Sequence, residues 1–299
     1  MKILVTGGSG FIGSHIVDQY VALGHDVAVV DDLSTGSEAN HNAKVKYYRL
    51  DVGSLKLAEV LAAERPQVVN HLAAQIDLRK SLEDPLKDAE INILGTLNLL
   101  SQAQKAGVKK FIFSSSAAVY GQQHVFPADE THRVEPQTPY GIGKLAAEFY
   151  LKHFQRLYQI PCVIFRYANV YGPRQNSLGE AGVISIFATK LLQGEAPVIF
   201  GDGKQTRDFV FVEDVVACHA KALDADVSGI YHVATGIETD LNRLMRTMID
   251  IVGSKVKPRY APPKLGDPLR SSLKAGALQL QQPVALAEGL KKTIAWFRR

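Results

Sequence analysis

Short apolar runs alternate with longer amphipathic stretches through the first half of this chain, and this alternation limits the possible folds more than any other feature. The strand-like runs are Ile3–Thr6, Asp26–Asp31, Val45–Arg49, Gln67–Leu72, Lys110–Ser115 and Cys162–Arg166. The stretches with helical periodicity are Phe11–Leu23, Ser54–Glu64, Asp88–Ala106 and Tyr140–Tyr158. Continuously apolar strands separated by helices are typical of a parallel sheet covered on both faces. The pattern predicts an α/β protein with a doubly wound, Rossmann-type parallel sheet, whose ligands bind at the carboxyl ends of the strands.

The second half of the chain is less regular and predicts a smaller C-terminal lobe for binding a substrate. It contains the Gly- and Pro-bearing loop Tyr167–Glu180, a helix near Val183–Gln193 and two further strands, Phe209–Val212 and Gly229–Val233. We expect residues 1–168 to form the Rossmann-type domain, with residues 209–235 returning to it. Residues 169–208 and 236–299 then form the substrate-binding lobe.

Composition and charge argue against several other classes of protein. The apolar fraction of 46% and charged fraction of 21% are those of an ordinary globular protein. The net charge is only +4, without a run of lysines or arginines, so no nucleic-acid partner is expected. Cys162 and Cys218 each lie in an apolar run with no second ligand at metal-binding spacing, so no metal site is expected. No apolar run reaches the ~20 residues that span a bilayer, and no signal peptide precedes the first strand, so we expect a cytoplasmic protein.

A glycine-rich turn, Thr6-Gly7-Gly8-Ser9-Gly10-Phe11-Ile12-Gly13, joins the first strand to the first helix. In this context a Gly-x-Gly-x-x-Gly spacing is typical of a dinucleotide site, because the glycines let backbone N–H groups approach a pyrophosphate at the positive end of the helix. Asp31 ends the second strand about 20 residues later, where a carboxylate can bind the ribose hydroxyls of adenosine. That carboxylate would repel a 2′-phosphate, so the expected cofactor is NAD rather than NADP. Asp51 ends the third strand and is a candidate for the adenine edge, although a carboxylate that only forms a turn is equally consistent with its position.

Two further segments suggest the chemistry. One strand ends in the three hydroxyl residues Ser114, Ser115 and Ser116. The segment Thr138-Pro139-Tyr140-Gly141-Ile142-Gly143-Lys144 has an N-cap residue and a proline at the first helical position, so a helix begins here. Tyr140 and Lys144 are then four residues apart on one face of that helix.

An ammonium group beside a phenol favours the tyrosinate form. We therefore expect Lys144 to lower the pKa of Tyr140 from about 10 towards neutrality, which would make the phenol usable as a general base on a sugar hydroxyl. Gly141 and Gly143 each cost about 1 kcal/mol inside a helix, and the close approach of a ligand would explain both. The alternative is an ordinary helix start with a surface Tyr–Lys pair.

Taken together, these motifs resemble the extended short-chain dehydrogenase/reductase family, specifically its UDP-glucose (UDP-galactose) 4-epimerase branch. The resemblance runs from end to end of the chain. Besides the glycine motif, it is carried by Asp31–Gly36, His71–Ala74, Ser114–Gly121, Tyr140 with Lys144, Arg166–Arg174 and Arg207–Val210.

The resemblance implies a role for each matching position. Tyr140 would be the catalytic base, Lys144 would tune it and bind the nicotinamide ribose, and Ser116 would hydrogen-bond the substrate hydroxyl. The cofactor-binding positions would be Gly7, Gly10, Phe11, Ile12, Gly13, Asp31, Asp32, Asp51, Val52, Leu72, Ala73, Ala74, Asn92, Ser114, Tyr140, Lys144 and Tyr167. The substrate-binding positions would be Ser116, Tyr140, Asn169, Arg207, Arg270 and Ser271. For Arg207, a salt bridge to Asp208 or Asp202 is the competing interpretation.

The chain departs from the family pattern at two places. Some epimerases have a cofactor-contacting lysine a few residues after the His71–Ala74 segment, and Ile76 takes that place here. Ser271 lies where the family often uses a bulky side chain to exclude N-acetyl groups, so UDP-N-acetylhexosamines are candidate substrates as well.

The hypothesis is therefore an NAD-dependent nucleotide-sugar 4-epimerase that acts through a 4-keto intermediate. A 4,6-dehydratase or a UDP-glucuronate epimerase or decarboxylase is the alternative within the family. Such relatives usually have acidic residues before Val-Tyr-Gly, where this chain has Ala117 and Ala118. A non-catalytic dinucleotide-binding sensor on the same fold is the alternative from another class. The resemblance also implies a homodimer formed through Asp88–Ala106 and Tyr140–Tyr158.

Overall fold

A computed structural model describes residues 1–176, 182–263, 268–278 and 282–299 of the chain. Within these residues the chain forms two compact units. The first contains residues 1–121, 133–166 and 216–231, and the second contains residues 122–132, 167–215 and 232–299. The division drawn from the sequence stays a prediction. The compact units differ from it mainly in assigning residues 122–132 to the second unit and in returning a shorter segment to the first.

The first unit is built around a parallel sheet. Its elements in chain order are β1 (Lys2–Thr6), α1 (Phe11–Ala22), β2 (Asp26–Asp31), a 3₁₀ turn (Glu38–Asn40), β3 (Lys46–Arg49), α2 (Leu57–Glu64), β4 (Val68–His71), α3 (Leu78–Glu83), α4 (Pro85–Ala89), a π-helix (Glu90–Gly95), α5 (Thr96–Lys105), β5 (Lys110–Ser116), a 3₁₀ turn (Ala117–Tyr120), α6 (Pro139–Tyr158) and β6 (Cys162–Tyr167).

The remaining elements of the chain follow β6. They are β7 (Asn169–Tyr171), α7 (Val183–Leu192), β8 (Val198–Phe200), β9 (Thr206–Phe211), α8 (Val212–Lys221), β10 (Gly229–Val233), β11 (Glu238–Asp240), α9 (Leu241–Val252), β12 (Arg259–Ala261), β13 (Arg270–Ser271) and α10 (Leu286–Phe297).

The seven-stranded sheet has the order β10-β6-β5-β4-β1-β2-β3. The strand order reverses between β1 and β4, which pair in parallel with Thr6 opposite His71. In a doubly wound sheet the ligand crevice opens at this reversal, beyond the carboxyl ends of the strands. The predicted Rossmann-type α/β fold is therefore confirmed. The sheet holds together by burial, since Ile3, Leu4 and Val5 of β1 are completely inaccessible to solvent, and burying each such side chain is worth about 1.5–3 kcal/mol.

The predicted helix Asp88–Ala106 is replaced by three successive elements. Asp84 accepts a hydrogen bond from the Lys87 N–H, and Pro85 occupies the first turn, so α4 begins earlier than expected. The backbone then widens into the π-helix before α5. Periodicity does not distinguish this arrangement from one long helix, because the three elements follow one another without a break in helical conformation.

The second unit has its own small sheet around β9. That strand pairs antiparallel with β11 and in parallel with β7 and β13. The carboxylate of Asp208 lies in the middle of β9, fully buried, and accepts hydrogen bonds from the N–H groups of Thr235 and Gly236. Among the described residues, no helix has the length and apolar character needed to cross a bilayer, and no group of three or more potential metal ligands comes together.

Candidate active site

The glycine turn after β1 is shaped by close backbone contacts. Gly7 has a φ of +72°, and a Cβ there would lie 2.7 Å from the Ala73 nitrogen. A Cβ on Gly13 would lie only 2.1 Å from the Gly7 carbonyl oxygen. Gly7 therefore lets the turn fold against the segment after β4, and Gly13 lets the start of α1 lie directly against Gly7.

The outer side of the same turn can receive an anionic group. Among the described residues, a Cβ on Gly10 would meet only the Gly7 carbonyl oxygen, at 3.3 Å. Gly10 is also the N-cap of α1 and provides no side-chain cap, so the N–H groups of the first helical turn face the ligand side. The turn thus has the backbone donors, the space and the helix end that a dinucleotide pyrophosphate requires, and the residues present fit NAD.

The carboxylates predicted to contact the cofactor also shape their own loops. Asp31 is buried at the end of β2, and its two oxygens accept hydrogen bonds from the N–H groups of Ser9 and Leu33, both at 2.9 Å. Asp32 accepts hydrogen bonds from the N–H and hydroxyl of Ser34. Asp51 accepts a 2.6 Å hydrogen bond from the Gly53 N–H, as expected of a turn-forming carboxylate. Each of these oxygens can accept a second donor, so the cofactor contacts of Asp31, Asp32, Asp51 and neighbouring Val52 stay predictions.

A directed chain of hydrogen bonds fixes the segment Leu72–Ala74. The Thr96 hydroxyl donates to the Asn92 carbonyl oxygen at 2.8 Å, so its oxygen can only accept from His71 Nε2, at 2.9 Å. Burial, with a smaller contribution from the charge of Lys144, lowers the pKa of His71 to about 3, so the ring is neutral with its proton on Nε2. His71 Nδ1 therefore accepts from the Thr6 hydroxyl at 2.7 Å, and the Thr6 oxygen accepts from the Ala73 N–H at 3.2 Å.

The predicted catalytic residues come together in the first unit. Thr138 caps α6 by accepting a hydrogen bond from the Gly141 N–H, so the helix begins where the sequence indicates. Ser116, at the end of β5, hydrogen-bonds the Tyr140 hydroxyl. The Lys144 ammonium lies 5.9 Å from the centre of the Tyr140 ring and donates a 2.9 Å hydrogen bond to the Ser114 carbonyl oxygen. A base, its hydrogen-bonding partner and a cation thus share one end of the sheet.

The pKa of Tyr140 differs from the prediction made from the sequence. Burial raises it to about 12, the hydrogen bond from Ser116 opposes this rise, and the negative charge of Asp88 adds to it. The expectation that Lys144 lowers the pKa of Tyr140 towards neutrality is therefore wrong when only the groups of the protein itself are considered. The reason is that loss of hydration disfavours the buried phenolate more than its neighbours stabilise it. Further positive charge beside the ring, such as that of oxidised nicotinamide, would be needed to lower the pKa.

The two glycines of α6 are explained by contacts inside the protein. A Cβ on Gly141 would lie 2.7 Å from the carbonyl oxygen of Ala118, and one on Gly143 would lie 3.1 Å from Asn92 Cβ. The expected approach of a ligand is not needed to account for either glycine. Both instead let α6 lie close to the segments that carry Ser116 and Asn92.

The other predicted substrate residues, Asn169, Arg207, Arg270 and Ser271, lie in the second unit, together with Tyr167. Tyr167 is buried at the end of β6, and Asn169 begins β7. Ser271 of β13 is in register with Arg207 of β9, so the structure places these two residues side by side. Arg207 donates to the Thr206 carbonyl oxygen at 2.8 Å.

Arg270 is held by two groups. Its Nε and Nη2 donate to the Glu238 carboxylate at 2.9 and 2.6 Å, and its guanidinium carbon lies 4.1 Å from the centre of the Phe126 ring. Sequence reasoning did not anticipate this pair. The parts assigned to Asn169, Arg207, Arg270 and Ser271 in substrate binding stay predictions.

Sequence reasoning also missed a buried ion pair behind the catalytic residues. Arg166 donates to both carboxylate oxygens of Glu148, at 2.9 and 2.6 Å, and to the Tyr120 hydroxyl at 2.7 Å. Glu148 further accepts a 2.6 Å hydrogen bond from the Ser115 hydroxyl. The pair therefore ties β5, β6 and α6 together around Ser116. The spacing from Lys144 places Glu148 on the same face of α6, but nothing in the local pattern indicates its partner Arg166.

Fold and site together define an NAD-binding enzyme of the short-chain dehydrogenase/reductase type, and comparison with known proteins agrees. Residues 3–234 match the model of the NAD dependent epimerase/dehydratase family, and the chain belongs to that family. The predicted family and the predicted cofactor, NAD, are thus confirmed.

Individual relatives cover the whole chain. It is 43% identical over 309 residues to the UDP-glucose 4-epimerase of Mycolicibacterium smegmatis, covering 100% of this chain and 99% of the relative. The crystal structure of UDP-glucose 4-epimerase with UDP-glucose from Thermotoga maritima superimposes with a TM-score of 0.96 at 42% identity, covering 100% of this chain and 99% of the other. The Thermus thermophilus UDP-glucose 4-epimerase complex with NAD gives a TM-score of 0.94 at 39% identity, with the same coverage.

Proposed function

We propose that this chain is an NAD-dependent UDP-hexose 4-epimerase that interconverts UDP-glucose and UDP-galactose through a 4-keto sugar. The observation that carries the proposal is the grouping of Tyr140, Ser116 and Lys144 at the end of a Rossmann-type sheet. The similarity to UDP-glucose 4-epimerases along the full length of the chain supports it.

The protein groups divide the proton chemistry among them. Tyr140 takes the proton of the sugar 4-hydroxyl on its phenolic oxygen and returns it when the 4-keto group is reduced. Ser116 donates or accepts a hydrogen bond at the same oxygen and so keeps the phenol in place. Lys144 supplies the positive charge that favours the phenolate. Bound NAD supplies the hydride acceptor, and because the hydride returns to the sugar, the cofactor is regenerated in every cycle.

Ala117 and Ala118 favour epimerisation over the alternatives within the family. They form the 3₁₀ turn that begins directly after Ser116, and they have no ionisable side chain. Elimination of water from the 4-keto sugar needs a second acid–base group next to the first. Ala117 and Ala118 do not provide one, so the proposed reaction goes no further than the 4-keto sugar, which turns over in the pocket and takes the hydride back on its other face.

The experiment is a substrate panel. The NAD-loaded protein is incubated with UDP-glucose, UDP-galactose, UDP-N-acetylglucosamine or UDP-glucuronate, and the products are separated by chromatography. We expect UDP-glucose and UDP-galactose to interconvert, and Tyr140→Phe to abolish the conversion while NAD stays bound. A 4-keto-6-deoxy product or a pentose product would instead indicate a dehydratase or a decarboxylase. Undiminished activity of Tyr140→Phe would exclude the assigned base.

The second unit is proposed to bind the UDP part of the substrate. Arginine suits the paired oxygens of a diphosphate, and Arg207 and Arg270 lie on β9 and β13, which pair directly. Because Nε and Nη2 of Arg270 donate to Glu238, we assign its Nη1 to the phosphate. Asn169 is the further proposed contact. Ser271 is in register with Arg207, and its small side chain leaves room for an N-acetyl group, so the UDP-N-acetylglucosamine sample tests whether N-acetylhexosamines are also substrates.

The proposed assembly is a homodimer formed through the outer face of α6 and the helices before it. Ile142, Phe149 and Leu157 are spaced along one side of α6, and each is more than half exposed, as is Leu94 of the π-helix. A stripe of large exposed apolar side chains is typical of an interface. Sedimentation equilibrium of the wild type should give twice the chain mass, and Phe149→Asp with Leu157→Lys should give the monomer mass.

The proposed location is the cytoplasm. Neither Cys162 nor Cys218 forms a disulfide, and both are buried. Burial raises the pKa of Cys162 to about 12, so that thiol is unreactive. Cysteines kept as thiols suit a reducing compartment. Cell fractionation with an antibody against the chain tests the assignment.

A further inference from the structure

Asp88 is a buried carboxylate beside the catalytic helix that has no part in the reaction described above. It is 2% exposed. It belongs to α4, whose start is fixed by the Asp84 cap and Pro85, and it immediately precedes the widened backbone of the π-helix. A buried carboxylate is costly unless its neighbours compensate for the loss of water. Its neighbours therefore indicate what this charge does.

Neutral amides hold one oxygen of Asp88. Its Oδ1 accepts hydrogen bonds from Gln75 Nε2 at 2.8 Å and from Asn92 Nδ2 at 3.0 Å. The two amide residues are also bonded to each other, because the Gln75 N–H donates to Asn92 Oδ1 at 3.0 Å and Asn92 Nδ2 donates to the Gln75 carbonyl oxygen at 2.9 Å. This closed network fixes the carboxylate in position. Since both side-chain donors are uncharged, it does not neutralise the charge.

The other oxygen of Asp88 faces α6. A Cβ built on Gly143 would lie 3.3 Å from Asp88 Oδ2. Gly143 directly precedes Lys144, so the missing side chain allows the carboxylate to approach the helix at the residue before the catalytic lysine. This contact explains why residue 143 is a glycine without invoking a ligand.

The surroundings of Lys144 show which charge it can use. Lys144 is 4% exposed and is faced by Tyr140 and Glu148 on its own helix, by Asp88 of α4 and by His71 of β4. Burial lowers the pKa of Lys144 to about 8, and the charges of Asp88 and Glu148 oppose that decrease. Glu148, however, forms a two-pronged ion pair with Arg166, and His71 is neutral. Among the residues that the structure describes, Asp88 is thus the carboxylate acting on Lys144 whose charge is not already matched by an arginine.

We propose that Asp88 is a positioning residue of this enzyme: its carboxylate keeps Lys144 in the ammonium form, and it supports the reaction through that ammonium. Its direct effect on Tyr140 has the opposite sign, since the same charge raises the pKa of that phenol. The inference rests on the proposed function, because it matters for turnover only if Tyr140 and Lys144 carry the reaction. The electrostatic relation itself can be measured without any substrate.

The test is Asp88→Asn, which removes the negative charge of the carboxylate and keeps the shape of the side chain. In NAD-loaded protein containing lysine labelled with ¹³C at Cε, the Lys144 signal is identified by its loss in Lys144→Met, and its titration is followed by NMR. In Asp88→Asn we expect the pKa of Lys144 to fall by about one unit or more, and the alkaline limb of the kcat profile to move by the same amount. Glu90→Gln is the matched control, since Glu90 is an exposed carboxylate two residues away that pairs with Lys87. It should leave both titrations unchanged.

An unchanged Lys144 titration in folded Asp88→Asn would overturn the proposal, as would an equal shift in Glu90→Gln. If Asp88→Asn does not fold, the reciprocal measurement takes its place. In Lys144→Met, followed by ¹³Cγ signals of labelled aspartate, the pKa of Asp88 should rise because its cation is gone, and reciprocity of the coupling predicts a rise similar in size to the shift of Lys144 in Asp88→Asn. No rise would also overturn the proposal. A wild type that converts none of the nucleotide sugars would reject the proposed function and leave both titrations informative.

Discussion

The ammonium of Lys144 donates a hydrogen bond to the backbone carbonyl oxygen of Ser114, 2.9 Å away. The bond ties α6 to the end of β5, two residues before Ser116. The cation is therefore held near the phenol of Tyr140 and the hydroxyl of Ser116, and in the proposed mechanism its protonation decides how far it favours the phenolate.

The first prediction concerns alkaline pH. Burial lowers the pKa of Lys144 to about 8, so the amine loses its charge as the pH rises through about 8. Because the neutral amine no longer favours the phenolate, kcat should fall above this pH instead of rising with ionisation of Tyr140. Measured kcat between pH 6 and 10 checks the prediction. Lys144→Arg, whose charge persists throughout this range, should be slower overall and lack the decline. If kcat of Lys144→Arg declined at the same pH as that of the wild type, the decline would have to come from a group other than Lys144.

The second prediction concerns the choice of cofactor. Asp31→Asn retains a hydrogen-bond acceptor for the loop but removes the charge. Hydrogen bonds to charged groups are worth about 1.5–3 kcal/mol, so NAD⁺ affinity measured by calorimetry should fall roughly 10- to 100-fold while NADP⁺ affinity rises. Asp26→Asn, at the opposite end of the same strand and paired with Lys2, is the control and should change neither affinity. Equal losses for both cofactors would argue against charge repulsion as the basis of selectivity.

The third prediction concerns acid stability. Burial lowers the pKa values of His71 and His219 to about 3, whereas both rise to about 6.5 on unfolding. In this range the two histidines are protonated in the unfolded chain but neutral in the folded chain. The free energy of unfolding therefore decreases as the pH falls from about 6.5 towards 3. Each histidine contributes a slope of about 1.4 kcal/mol per pH unit in this window.

Urea denaturation at several pH values measures this slope. His219→Gln should remove one histidine's share of it, although the variant is less stable at every pH because the hydrogen bond to Asn70 is lost. His153→Gln, on the exposed side of α6, should leave the slope unchanged. A wild-type slope near zero between pH 6 and 4 would contradict the prediction.

The fourth prediction concerns the close contact at Gly141. Alanine normally stabilises a helix by about 1 kcal/mol relative to glycine. Here the new Cβ would lie 2.7 Å from the Ala118 carbonyl oxygen, so Gly141→Ala should destabilise the protein by about 1–3 kcal/mol and lower kcat by displacing the turn that follows Ser116. Gly143→Ala meets only side-chain atoms, at 3.1 and 3.3 Å, and should be milder. Thermal melting and kcat of both variants check the order, and a more stable Gly141→Ala would refute the argument.

The sequence predicted those parts of the structure that depend on local pattern. Alternation identified the strands of the parallel sheet, and Thr138 with Pro139 located the start of α6. Spacing placed Tyr140 and Lys144 on one helix face. Each inference uses residues that are close in the chain or the regular geometry of one element.

The features that the sequence did not predict depend on residues far apart in the chain. Arg166 pairs with Glu148 only because β6 and α6 are brought together by the fold. The raised pKa of Tyr140 depends on how deeply the phenol is buried, which spacing does not report. The π-helix requires a backbone widening that leaves no mark in the apolar pattern. Long-range contacts and desolvation thus could not be predicted from the sequence alone.

The hydrogen-bond chain from Ala73 through Thr6, His71 and Thr96 to the Asn92 carbonyl has one polarity. Each hydroxyl has a single proton, so reversing one link would require reversing every other, and neither terminal backbone group can reverse. The loop beneath the cofactor and the helix beside the catalytic lysine are consequently locked in a single proton arrangement. Exchange of Thr6 for valine would therefore leave both His71 Nδ1 and the Ala73 N–H without a partner, whereas exchange of Thr96 for valine would remove the acceptor of the Nε2 proton.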